Sequence, residues 1–225
     1  MLTLQKIKSN PQVLEFIKQS EISLGALDYT EHGLRHANLV ARRAKKMAQE
    51  IGLSKREQEL AALAGFCHDM GNFLGRSQHH YWGAILFHQL FSVSGEKADF
   101  SPREMTWVMQ AISNHDKYDM KLTNPISSIV ILADKSDVHR SRVRSQAQSK
   151  IREDLHDRVN YATTKSQIKV NKAQKKINLT LKIDTKFCSI MEYFEIFTER
   201  MSYCRKAAEH LGYHFSLIIN NFKLL

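Results

Sequence analysis

The stretch that most constrains this chain is Ala64-Gly65-Phe66-Cys67-His68-Asp69-Met70-Gly71-Asn72, where an imidazole and a carboxylate stand side by side at the end of an apolar helix. Upstream, Ser54 and Glu57 have the spacing of a capping box. Leu60, Leu63, Ala64 and Cys67 then recur at helical intervals up to Gly71, which reads as the C-terminal stop. His68 extends the row Leu60, Ala64 and is expected to face inward. A buried histidine beside a buried carboxylate needs a partner: another side chain, a hydrogen-bond network or a cation.

The rest of the chain offers more such groups. Asn10 and Pro11 read as N-cap and first residue of a helix with an apolar face of Val13, Phe16, Ile17 and Leu24. The segment Glu31-His32-Gly33-Leu34-Arg35-His36 opens a second helix, whose stripe Val40, Ala44, Met47 and Ile51 ends at Gly52; His36 lies on the extension of that stripe. Beyond His68-Asp69, Gln78-His79-His80-Tyr81-Trp82-Gly83-Ala84 reads as the first turn of another helix. Ser101-Pro102-Arg103-Glu104 is a capping box with proline at the first helical position, and Met105, Val108 and Ile112 run down one face to His115. Asn124-Pro125 begins a helix that is apolar nearly all round, Ile126 to Ala133, with Asp134 at its end. An unpaired carboxylate there would be costly.

Residues 137 to 152 are basic, with Arg140, Arg142, Arg144, Lys150 and Arg152. Two alternating stretches, Gln167 to Val170 and Ile177 to Ile183, then read as a hairpin of half-buried strands. A long amphipathic helix is expected from about Phe187 to Leu211, with Met191, Phe194, Phe197 and Met201 as core, and His214 to Asn220 as a third strand. The fold class expected is mainly α, a helical metal-binding domain over residues 1–160, with a small α+β subdomain over 161–225.

Composition narrows the classes. With 225 residues and 43% hydrophobic content the chain builds a real core and is no disordered tail. Three scattered cysteines, Cys67, Cys188 and Cys204, argue against a disulfide framework and for a reducing compartment, here read as the cytoplasm. No signal-peptide core or membrane-spanning run is legible. A formal charge of +10 favours anionic partners.

Five separate segments thus deliver His36, His68 with Asp69, His79 or His80, His115 and Asp134, each near a helix end. Helical bundles build metal sites in this way. Singly, each histidine reads as an ordinary hydrogen-bonded residue; as a set they point to metal. Imidazoles suit Mn, Fe, Co, Ni or Zn, and carboxylates take harder ions and can bridge two metals, so the mix fits a transition metal better than Mg alone.

His36, His68-Asp69 and Asp134 follow an H…HD…D order, and residues from about 30 to 140 resemble the HD-domain metal-dependent phosphohydrolases. The resemblance implies an α-helical fold in which these four side chains bind a first metal. His79-His80-Tyr81-Trp82-Gly83-Ala84 and Ile112-Ser113-Asn114-His115 resemble the segments that supply a second metal in dinuclear members. By that comparison His79 is the ligand, with His80 as fallback, together with His115. Asn72 stands where several relatives have lysine, and no Gly-Tyr-Pro follows His115-Asp116, which sets the chain apart from cyclic-di-GMP phosphodiesterases of the HD-GYP type. Leu132-Ala133-Asp134, followed six residues later by Arg140, is similar to the dinuclear diadenosine-tetraphosphate hydrolases of the superfamily.

The expected chemistry is hydrolysis of a phosphoester or phosphoanhydride, of a nucleotide by preference, by a water activated between two divalent metals that share Asp69. Arg140 is the expected phosphate clamp, ahead of Lys117 and Arg76. Two rivals belong to other classes: a metal- and nucleotide-binding regulator without turnover, and a nucleic-acid binder using the basic segment, for which no helix-turn-helix, zinc finger or aromatic platform is legible. A free strand edge also raises a homodimer through the C-terminal subdomain.

Overall fold

The computed structural model describes residues 1–92, 98–117, 121–145 and 147–224. They fall into two compact units, Met1–Asp134 and Lys135–Leu225, each taken by itself.

Among the described residues, the secondary structure of the first unit is all helical. A short helix α1 (Leu4–Lys8) precedes α2 (Pro11–Ala26), α3 (Leu34–Ile51), α4 (Lys55–Cys67), α5 (His79–Phe91), α6 (Pro102–Asn114) and α7 (Pro125–Lys135). Their starts follow local chemistry. Asn10 accepts from the amides of Gln12 and Val13. Reciprocal capping boxes, Ser54 with Glu57 and Ser101 with Glu104, satisfy orphan amides at α4 and α6. The Asn124 side chain accepts from the Ser127 amide at the start of α7. Gly52 ends α3 in a left-handed conformation, φ 101°. α4 is buried on all sides from Leu60 to Cys67 and α7 from Ile129 to Ala133, so these two form the centre of the unit. The Arg56 side chain bonds Glu104 at 2.7 Å and the carbonyls of Leu2 and Asp99, which ties the N-terminus and α6 to α4.

Gly71 has a different role from the expected one. α4 ends at Cys67, residues 68–71 form a turn, and Gly71 has ordinary right-handed backbone, φ −86°. What it supplies is space: a Cβ there would run into the His79 carbonyl oxygen and the Gly83 amide nitrogen. The turn after α4 therefore lies directly against the first turns of α5, and this contact sets His79 beside Asp69.

In the second unit, helices α8 (Gln148–Glu153) and α9 (Leu155–Ala162) lead into a sheet. The sequence pattern does not predict either helix: α8 begins within the basic segment and α9 follows it. The sheet consists of β1 (Thr163–Asn171), β2 (Lys176–Ile183), β3 (His214–Ile219) and β4 (Phe222–Lys223), in that spatial order. β1 and β2 form the expected antiparallel hairpin. α10 (Ile190–His210), opened by a Ser189–Glu192 capping box, carries the chain back so that β3 runs parallel to β2. The short β4 was not foreseen. Cys67, Cys188 and Cys204 are all buried. Among the described residues no helix is long and apolar enough to cross a membrane.

Gly71→Ala should destabilise the protein by about 1–3 kcal/mol, because the new methyl meets backbone atoms that cannot swing away. Urea denaturation followed by circular dichroism reads this as a lowered midpoint with an unchanged slope.

Candidate metal centre

The residues singled out at helix ends converge in the first unit. His36 lies in the first turn of α3, and His68 follows the last residue of α4, with Asp69 next to it. His79 opens α5, His115 caps the C-terminus of α6, and Asp134 is in the last turn of α7. All six are buried.

They form two groups that share one carboxylate. Around Asp69 Oδ2 lie His68 Nε2 at 3.2 Å and His36 Nε2 at 3.6 Å. These two nitrogens are 3.1 Å apart and stand 3.6 and 3.3 Å from Asp134 Oδ1. The other oxygen, Oδ1, faces His79 Nε2 at 3.3 Å and His115 Nε2 at 3.4 Å, themselves 3.0 Å apart.

These spacings suit divalent cations. Metal–ligand bonds of about 2.1 Å, at octahedral or tetrahedral angles, put neighbouring ligand atoms roughly 3.0–3.4 Å apart. The ring orientations suit them too. His68, His79 and His115 each donate from Nδ1 to a carbonyl three residues earlier, Gly65 at 2.8 Å, Arg76 at 2.7 Å and Ile112 at 2.6 Å. With the proton held on Nδ1, the lone pair of each neutral ring is on Nε2 and points into the group. His36, His68 and Asp69, His68, His115 and Asp134, and Asp69, His79 and His115 each have the close-set donor atoms a metal ion requires.

Residues 33–139 match the sequence model of the HD domain family. The clustered His and Asp side chains of this segment are compatible with the metal site of that family. HD domains bind divalent metals, and the family generally comprises metal-dependent hydrolases. The chain is also similar to an uncharacterized protein of Methanocaldococcus jannaschii, 28% identical over 153 residues. That match covers 60% of this chain and 59% of the relative, so the chain spans less than two thirds of the relative's length.

Within the matched segment, His79 Nε2 rather than His80 lies among these clustered donor atoms. The His80 ring is buried alongside, with its centroid 5.4 Å from that of His79 and 6.4 Å from that of His115. Asn72 donates from Nδ2 to Asp69 Oδ1 at 3.0 Å and to the Asp69 carbonyl, which orients the shared carboxylate. Arg76, ranked behind Arg140 from the sequence, is at the site. Its guanidinium lies 3.2 Å from His79 Nε2, 3.1 Å from Asn72 Oδ1 and 4.0 Å from Asp69 Oδ1, and pairs with Asp116 at 3.2 Å. The available signals were the spacing of Arg76 three residues before His79 and the second His-Asp pair, His115-Asp116. Lys117 is half-buried just beyond it. Arg140 belongs to the second unit, where its guanidinium lies 5.2 Å from the centre of the Tyr161 ring.

Without metal the group is held by protons. Burial opposes charge on His68, but the carboxylates of Asp69 and Asp134 outweigh it and push its pKa up to about 10. Asp69 is likewise disfavoured by burial, yet the imidazoles of His68, His115 and His79 hold it well below the usual carboxylate range. His115 falls to about 4, mainly through burial, with the cationic character of His68 and His79 adding to it against the pull of Asp69.

The signs give a pH profile for the metal-free protein. A raised histidine stabilises fully below its ordinary value of 6.5, and this stabilisation is lost as pH rises towards about 10, for His68. A lowered histidine costs stability as pH falls from 6.5 towards about 4, for His115. Thermal melts of chelator-treated protein should therefore reach their highest midpoint near pH 6.5 and fall on both sides.

Proposed function

We propose that this protein is a metal-dependent phosphohydrolase that cleaves a phosphoester or phosphoanhydride bond, with a nucleotide as substrate. One observation carries the reading: Asp69 turns one oxygen to the His36–His68–Asp134 group and the other to the His79–His115 group. His36, His68, Asp69 and Asp134 would hold one divalent cation, and Asp69, His79 and His115 a second. Mn, Fe, Co, Ni or Zn suits the imidazoles, and Mg remains compatible with the carboxylates. Cations held there acidify water and neutralise charge on phosphoryl oxygens.

The chain's own residues do the remaining work. The Nδ1 bonds of His68, His79 and His115 keep these rings in one tautomer and orientation. Asn72 fixes the plane of the Asp69 carboxylate. Arg76, a quarter exposed at the edge of the group, offers a planar fork to a phosphate that enters. Arg140, six residues after Asp134 in the sequence, would be a second phosphate contact. A net charge of +10 suits an anionic substrate. A cytoplasmic location and a homodimer through the C-terminal unit, whose sheet ends on β1, belong to the same reading.

Elemental analysis, combined with hydrolysis of a panel of nucleotides and phosphoesters with Mn, Fe, Co, Ni, Mg or Zn added singly, tests this. The expected result is about two equivalents of metal and metal-dependent turnover. Asp69→Ala should lose both metals and all turnover while keeping its helical signal, whereas His115→Ala should fall to about one equivalent. Full turnover in Asp69→Ala would overturn the mechanism. Stoichiometric metal without turnover on any substrate would favour the regulator.

A further inference from the structure

The hairpin of the second unit carries a concentration of charge that the metal centre does not use. Residues 163–186 contain seven lysines and a single acidic residue, Asp184. Strand alternation sorts them. Ile168, Ile177, Leu179 and Leu181, with Phe215, Leu217 and Ile219 of β3, are buried on the face that packs against α10. The opposite face presents Lys165 and Lys169 from β1, Lys176 and Lys182 from β2 and Lys223 from β4, of which all but the half-buried Lys176 are exposed. Gln167, Asn178 and Thr180 lie among them, and no Asp or Glu occupies a strand position of this face. Among the described residues no ion pair engages these lysines.

Two details show that this is more than a solvated surface. Lys165 is directly opposite Lys182 in the ladder. Like charges in that position destabilise a sheet, so the fold bears a cost that an anion laid across the pair would relieve. At the same end, a recess of about 740 Å³ opens beside the face, where Lys165, Lys182 and Lys186 outnumber the one acid, Asp184, with Thr180 and Asn221 beside them.

We propose that this face is a binding surface for double-stranded nucleic acid, held through its phosphate backbone without reading sequence. The chemistry of the face selects that partner. Lysines neutralise phosphates, and interleaved amides and hydroxyls donate to phosphate and sugar oxygens. The strand positions of the face include no Phe, Tyr or Trp on which unpaired bases would stack, which favours a duplex over a single strand. No apolar side chain of the face beyond Ile218 is available to enter a bilayer, which disfavours a lipid surface. The proposal is independent of the hydrolase reading.

Fluorescence anisotropy of the full-length protein with labelled mixed-sequence duplex DNA and RNA, over a salt series, is the test. Affinity should fall steeply with salt, and Lys165→Gln/Lys169→Gln/Lys182→Gln should lower the slope of log K against log salt by roughly 2–3. Lys169→Gln alone should lower it by about 1. Lys18→Gln/Lys46→Gln, at exposed lysines of the first unit, should leave it unchanged. The triple variant should melt no lower than the parent, since it removes the Lys165–Lys182 repulsion. Absence of duplex binding at low salt, a slope that the triple variant does not change, tighter binding to single strands than to duplex, or preferential retention on phosphatidylserine vesicles would each overturn the proposal.

Discussion

The first unit is organised around one buried anion. The Asp69 carboxylate is withdrawn from water at the turn after α4, and such a charge survives only with hydrogen-bonding or positive partners at short range. Four imidazoles and a guanidinium supply them: His36, His68, His79 and His115 lie within 3.2–3.6 Å of its oxygens, and Arg76 at 4.0 Å. They come from the ends of four helices and the turn before α5. The electrostatic demand of a single side chain thereby fixes where the ends of α3, α4, α5 and α6 must meet, and α7 adds Asp134 to the same point.

Placing the histidines at helix ends solves a second problem. The last carbonyls of a helix lack intrahelical partners and need donors. His68 and His115, each just past its helix, supply Nδ1–H to Gly65 and Ile112 in the last turns of α4 and α6. One hydrogen bond therefore satisfies a helix terminus and also aims Nε2 at the shared carboxylate. The site's geometry is built from the same bonds that finish the helices, which is why it can be rigid without additional structure. The close approach at Gly71 completes it by bringing the start of α5 against the turn that carries Asp69.

The second unit follows a different logic. Its sheet is sorted by the two-residue period of strands into an apolar face covered by α10 and a lysine-rich face open to solvent. Its register sets Lys165 against Lys182, a local conflict of the kind that folds tolerate where function asks for it.

Much of this was legible in the chain. Capping boxes at Ser54 and Ser101, proline at the first positions of α2, α6 and α7, and the alternation of β1 and β2 all depend on contacts within a few residues, so local spacing suffices to read them. The candidate side chains His36, His68, Asp69, His79, His115 and Asp134 were legible as a set because each stands near the end of an expected helix and several continue its apolar row, where a polar group needs a reason. What tertiary structure alone decided depends on partners distant in sequence. Gly71 is set by the backbone of α5 rather than by its own turn, and Arg76 gains its place from His79, Asn72 and Asp116 together. The parallel pairing of β3 with β2 rests on how α10 packs. The sequence by itself determined which side chains need a partner; only the packing of helices against one another determined that they meet, because burial of a charge is a local property and its neutralisation is not.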